Sequence, residues 1–172
     1  MLQKLINSPI SFEVRVEYVS NGQLRSDSFF IGANVVGKIE VSINDLSIDN
    51  IGGTLNVVGN LLNKGNTGGL FTTIEIVTDK EIIDREIENI LKTGQNVSNL
   101  KIVIPASATP EYLCHLEEDS PLPFNIPLAT SNKSSSGNYV VPLKVEYYDD
   151  LRNQHVIYES DIVNLAFAPA TC

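Results

Sequence analysis

Near the start of the chain Ile10, Phe12, Val14, Val16 and Tyr18 alternate with Ser11, Glu13, Arg15 and Glu17. Side chains on a strand point to opposite faces in turn, so this period of two predicts a half-buried β-strand. The pattern is written again near the end, where Tyr139, Val141, Leu143, Val145 and Tyr147 alternate with mostly polar neighbours, and Val14-Arg15-Val16-Glu17-Tyr18 matches Leu143-Lys144-Val145-Glu146-Tyr147. Both copies run into a polar turn and a second β-rich segment. After the first copy the turn is Asn21-Gly22, two residues that tolerate the positive φ a tight hairpin demands, and the return strand spans Leu24 to Ile31. After the second copy, Val156 to Val163 returns. A hairpin written twice points to recurring β-modules.

The segments between the copies read mostly as strands. Val35, Ile39, Val41 and Ile43 form one alternating set, and Leu55, Val57, Gly59 and Leu61 form another. Asn63 to Gly69 is a long polar turn, with Leu70 to Val77 as the returning strand. Short strands are predicted at Leu100 to Ile104, Tyr112 to Leu116 and Phe124 to Leu128, the last at an edge because Pro127 cannot donate to a ladder. One helix stands out, from Asp79 to Thr93. Thr78 with Glu81 fits a capping box, Ile83, Ile87, Ile90 and Leu91 fall on one face, and Gly94 suits the left-handed residue past the end. About ten strands and one helix predict an antiparallel sandwich.

At 172 residues the chain is long enough for one domain, or one domain and part of a second, with a core that needs no metal or disulfide to form. The net charge of −9 argues against nucleic acid, whose phosphates call for clustered Lys and Arg. No stretch reaches the ~20 apolar residues of a membrane span, so no membrane insertion by this segment is expected. Residues 1–7 lack the apolar middle of a signal peptide, so a targeting segment, if the protein is exported, lies outside this sequence. Cys114 and Cys172 are the only cysteines; they fit either one bridge or two free thiols.

Candidate chemistry is sparse. His115, Glu117, Glu118 and Asp119 form the densest run of metal-ligand types, yet their spacing fits no calcium loop, and no metal site is assigned. Asp149 and Asp150, beside Glu146, read as solubilising turn residues. His115 and His155 are the only bases for a nucleophile, and neither lies in a nucleophile motif. Strand alternation also puts Cys114 and His115 on opposite faces, while His115 and Glu117 share one. No catalytic residue and no cofactor are expected. Asn96-Val97-Ser98 and Asn132-Lys133-Ser134 are acceptor sequons in predicted loops, making Asn96 and Asn132 candidate glycosylation sites.

The run from Leu55 to Thr67, with its Asn63-x-Gly65-Asn66-Thr67 turn, resembles a strand and turn of archaeal S-layer-like, immunoglobulin-type surface domains. Tyr112 to Glu117, Pro123-Phe124 and the alternating run from Gly137 to Asp149 resemble that family's later strands in the same order. The resemblance spans Ile39 to Leu165, and Ile10 to Ile31 looks like the closing hairpin of a preceding module. Cys114 departs from it, standing where such domains often carry a small residue, and the helix looks like an insertion. It implies an all-β, immunoglobulin-like antiparallel β-sandwich with one inserted helix near residues 79–93. The expected organisation is a hairpin over 1–36, a sandwich over 37–168 and a tail over 169–172, with the short Gly32-Ala33-Asn34 connection favouring incorporation of the hairpin into the sandwich. The implied role is a non-catalytic structural or adhesion module of a larger cell-surface or secreted protein, its partners being envelope neighbours, further copies of itself or glycans. The alternatives are a carbohydrate-binding or accessory domain of an envelope enzyme, for which Phe29, Phe30, Phe71, Tyr148 and Tyr158 are the stacking aromatics, or the external domain of a transporter.

Overall fold

The computed structural model describes residues 8–95, 98–129 and 136–166, and the chain divides into two compact units, residues 1–38 and 39–172. Asn96, Asn132 and Cys172 lie outside the described residues.

The first unit is a hairpin. Strand β1 (Pro9–Ser20) pairs antiparallel with β2 (Gln23–Asn34) in unbroken register from Pro9↔Asn34 to Ser20↔Gln23. Asn21 and Gly22 turn with φ of 52° and 74°, as the dipeptide predicts. The two strands form a two-stranded sheet of their own and extend neither sheet of the second unit.

The second unit is an antiparallel β-sandwich with one short helix. Its smaller sheet has the order β3–β4–β8, from β3 (Val41–Ile51), β4 (Thr54–Asn63) and β8 (Leu122–Pro127). The larger has the order β10–β9–β5–β7, from β5 (Gly69–Ile76), β7 (Glu111–Leu116), β9 (Gly137–Tyr148) and β10 (Gln154–Leu165), and the two-residue β6 (Lys101–Ile102) adds to β9 in parallel. The inner faces meet in one core. Leu55, Val57 and Leu61 of β4 and Phe124 and Ile126 of β8 close over Ile74 and Ile76 of β5 and the odd-numbered residues of β9. Val141, Leu143 and Val145 are fully buried. Gly59 is part of this fit, since a Cβ there would stand 2.8 Å from the Phe124 ring.

Strand β9 is apolar on both faces because both are covered. Its even-numbered side carries Val140 and Pro142, both buried, and the helix α1 (Lys80–Lys92) packs against β9 and β10. Ile83 is the buried anchor of α1. Its N-cap is Asp79, whose carboxylate accepts from the Glu81 and Ile82 amides, so the Thr78 capping box does not form. Asp is an equally good cap, and the residue nearest the first free amides takes the role. Gly94 follows with φ 85°, as predicted.

Several strand boundaries differ from expectation, β2 and β10 running longer than predicted at both ends. Residues 35–40 stay outside the sheets and β3 starts at Val41. The strand expected at Leu100 to Ile104 shortens to β6. The last short strand ends at Pro127 on the free edge of the smaller sheet, where a residue without an amide hydrogen is tolerated.

Irregularity concentrates where β5 meets β7. The register slips on both sides of Thr72, and Phe71 and Cys114 take φ of 51° and 69°. Thr72 itself is fully buried, with no hydrogen-bond partner for its hydroxyl among the described residues. A buried hydroxyl without a partner costs about 1–3 kcal/mol, so Thr72→Val should stabilise the second unit, raising the melting temperature by several degrees. An unchanged or lower melting temperature would show that the hydroxyl is satisfied.

Candidate functional site

One end of the sandwich gathers most of the residues singled out in the sequence. The polar turn after β4, the segment after β7 and the β9–β10 turn all meet there. Asn63, buried at the end of β4, organises the first two. Its Oδ1 accepts from the Glu40 and Gly65 amides at 3.2 and 2.9 Å, and its Nδ2 donates to the Thr67 and Leu116 carbonyls at 2.8 and 3.3 Å. Its own carbonyl accepts from the Asp119 amide at 2.9 Å. Thr67 then reaches the third segment, its hydroxyl donating to Asp150 at 2.9 Å.

Asp149 organises that third segment. Its carboxylate accepts from the Leu151 and Asn153 amides and the Asn153 side chain, and pairs with His155 Nε2 at 2.9 Å. The bond to His155 first, and then the Asn153 amide, hold the Asp149 carboxyl down at about 2, because each stabilises the charged form. His155 also stacks on Tyr147, ring centroids 5.2 Å apart. The His–Asp pair resembles half of a catalytic triad in distance alone; its carboxylate is committed to shaping a five-residue turn.

The bulge changes what β7 displays. Cys114 and His115 are both exposed, and the buried residues Leu113 and Leu116 lie three apart. The expectation that Cys114 and His115 face opposite ways therefore fails, because the left-handed turn of the backbone at Cys114 breaks the alternation. Glu117 lies beyond the end of the strand, so it does not share a strand face with His115. Phe71, 53% exposed, meets the His115 ring at 6.1 Å and the Tyr148 ring at 6.3 Å, both edge to face. Among the described residues no group of three or more His, Cys, Asp or Glu side chains is placed to hold a metal ion. His115 is engaged instead with an aromatic ring.

The grooves of the second unit are shallow and open. One of about 360 Å³ runs between α1 and β10, lined by Glu86, Ile90, Tyr158, Glu159 and Asp161. A second, of about 220 Å³, lies on the other side of Tyr158 beside Glu75, Asp79 and Lys144. Burial, with Asp161 adding to it, pushes the Glu159 carboxyl up; Lys144 is held charged more firmly than usual by Glu75 and then Glu146. Arg85 lies 5.6 Å from the Tyr158 ring centroid. Sequence reasoning named Tyr158 as an aromatic but missed both grooves, since the helix residues that complete them carry no local signal of where they pack. Among the described residues no helix is long and apolar enough to cross a membrane. No protein-family model, no curated protein and no solved structure matches the chain.

Proposed function

We propose that this chain is a non-catalytic, immunoglobulin-like structural or adhesion module of a cell-surface or secreted protein, acting through its sheet faces, edges and end loops. The observation that carries the reading is the use to which its polar chemistry is put. Asn63, Asp149, His155 and Thr67 are consumed in tying turns together, which leaves a rigid sandwich presenting loops and edges. Bulges that re-aim strand ends fit a recognition surface. Enzymes converge charged groups in a concave, largely apolar pocket; here the two grooves beside Tyr158 are open and their carboxylates are divided among α1, β5 and β10.

Assays of ester, peptide and glycoside hydrolysis should give no turnover above the buffer rate. Turnover that disappears in both His115→Ala and His155→Ala would overturn the proposal. A carbohydrate-binding role is the second reading, favoured by exposed Phe71 beside Tyr148 and by Tyr158 between two carboxylate-lined grooves. It predicts saccharide binding that weakens on Phe71→Ala or Tyr158→Ala.

A further inference from the structure

We infer that the β1–β2 hairpin is a self-association device, its apolar face stacking on the same face of a second copy of this chain. The inference rests on the proposed structural role and names the partner. Residues directly opposite in an antiparallel pair share a face. The register therefore places Ile10, Phe12, Val14 and Val16 together with Ala33, Ile31 and Phe29 on one side. The other side carries Glu13, Arg15 and Glu17 opposite Phe30, Ser28 and Ser26. One side is a continuous apolar surface, whereas on the other the charged and hydroxyl rungs of Arg15, Glu17, Ser26 and Ser28 separate Phe30 from an apolar Val19–Leu24 rung at the turn.

Two strands alone are marginal in water, and such a face has to be covered. What covers it is indicated within the same chain. The β9–β10 hairpin repeats the β1–β2 hairpin in strand length and in unbroken antiparallel register, and its matching residues, Val141, Leu143 and Val145, are buried against an apolar sheet. The β1–β2 face therefore calls for a facing sheet with an apolar inner side. In the second unit both inner faces are already spent on each other. Among the described residues, the exposed apolar sheet face that a second copy can offer is its own hairpin.

Size and charge agree with this pairing. Phe12, Phe29, Ile31 and Val16 are 53%, 50%, 48% and 45% exposed, so the face offers on the order of 500 Å² per copy and about 1,000 Å² per pair, the lower bound for a specific interface. Arg25 and Asp27 lie at the turn end of this face, with Tyr18 donating to Asp27 at 2.8 Å, so the charged rungs carry both signs and sit at the rim. Because only one side is continuously apolar, the stack closes as a two-fold dimer and does not propagate. Each copy carries a net charge of −9. Repulsion between copies is screened by salt, so the dimer should tighten as salt rises, the reverse of an association driven by ion pairs.

Sedimentation of the full chain tests this. The expected result is a dimer at about 100 μM that dissociates on dilution toward about 1 μM, with a tenfold or greater tightening between low and high salt. Phe29→Asp should give a monomer, whereas Phe30→Asp, the adjacent Phe on the opposite side, should leave the dimer intact. Circular dichroism of the second unit, whose core contains no residue before 39, guards against misfolding in either variant. A chain monomeric at about 100 μM, an open series of larger species, or equal effects of the two substitutions would each overturn the inference. A monomer would leave the non-catalytic reading standing, and turnover by a dimeric chain would overturn only that reading.

Discussion

Val145→Asp should leave the second unit unfolded at ambient temperature. Val145 is fully buried at the centre of β9, between β10 through Ile157 and β5 through Ile74, and both of these cross-strand partners are apolar. A carboxylate placed there has no partner, and the cost, on the order of 5 kcal/mol or more, matches the whole stability of a small domain. Glu146 supplies the contrast. It sits one residue on, facing outward, with Lys144 Nζ at 3.3 Å and a hydrogen bond from Gln154. Glu146→Lys gives up one partly exposed ion pair and sets two cations side by side, at a cost of about 1 kcal/mol or less. Thermal melts of the two variants should therefore differ by the presence or absence of a cooperative transition. Similar melts would contradict the register of β9.

The second large effect should come from Asn63→Leu, which keeps the volume and removes every polar atom of the side chain. Four backbone groups lose their partner at once: the amides of Glu40 and Gly65 and the carbonyls of Thr67 and Leu116. The bonds to the Thr67 and Leu116 carbonyls are buried, and each such group left unpaired costs about 1–3 kcal/mol; the Glu40 and Gly65 amides are only partly buried and recover water, so a total of about 3–5 kcal/mol is expected. The urea midpoint should fall accordingly, with the slope of the transition unchanged. Asn63→Asp should not restore the parent midpoint, because one oxygen still accepts from both amides while the other sets a buried negative charge against the Thr67 and Leu116 carbonyls. A midpoint equal to that of the parent in Asn63→Leu would show that the turn holds without the side chain.

The two substitutions mark what the sequence could and could not disclose. The orientation of Val145 and Glu146 follows from a period of two, because pleating acts residue by residue and leaves its trace in local order. The Asn21-Gly22 turn and the edge position of Pro127 were legible for the same reason. Asn63 was conspicuous as part of a turn, but its work depends on Glu40 and on Leu116, 53 residues away, and nothing local announces such partners. The bulge at Phe71 and Cys114 was also hidden. Neither is a glycine, and the slip arises from how β5 pairs with both β7 and β9. That one slip exposed His115 next to Cys114 and built the Phe71–His115–Tyr148 cluster, so the surface details of the candidate site escaped a reading that had found its strands. The helix was legible as a helix, yet not as one wall of a groove beside Tyr158.

The proposed role makes this chain an outward-facing module that works by contact. Brief protease treatment of intact cells that make the protein, followed by mass spectrometry of the released peptides, tests that most directly. Peptides from exposed turns, such as the one around Leu151, should be released while cytosolic markers stay whole. Peptides of this chain that appear only after the cells are lysed would contradict it.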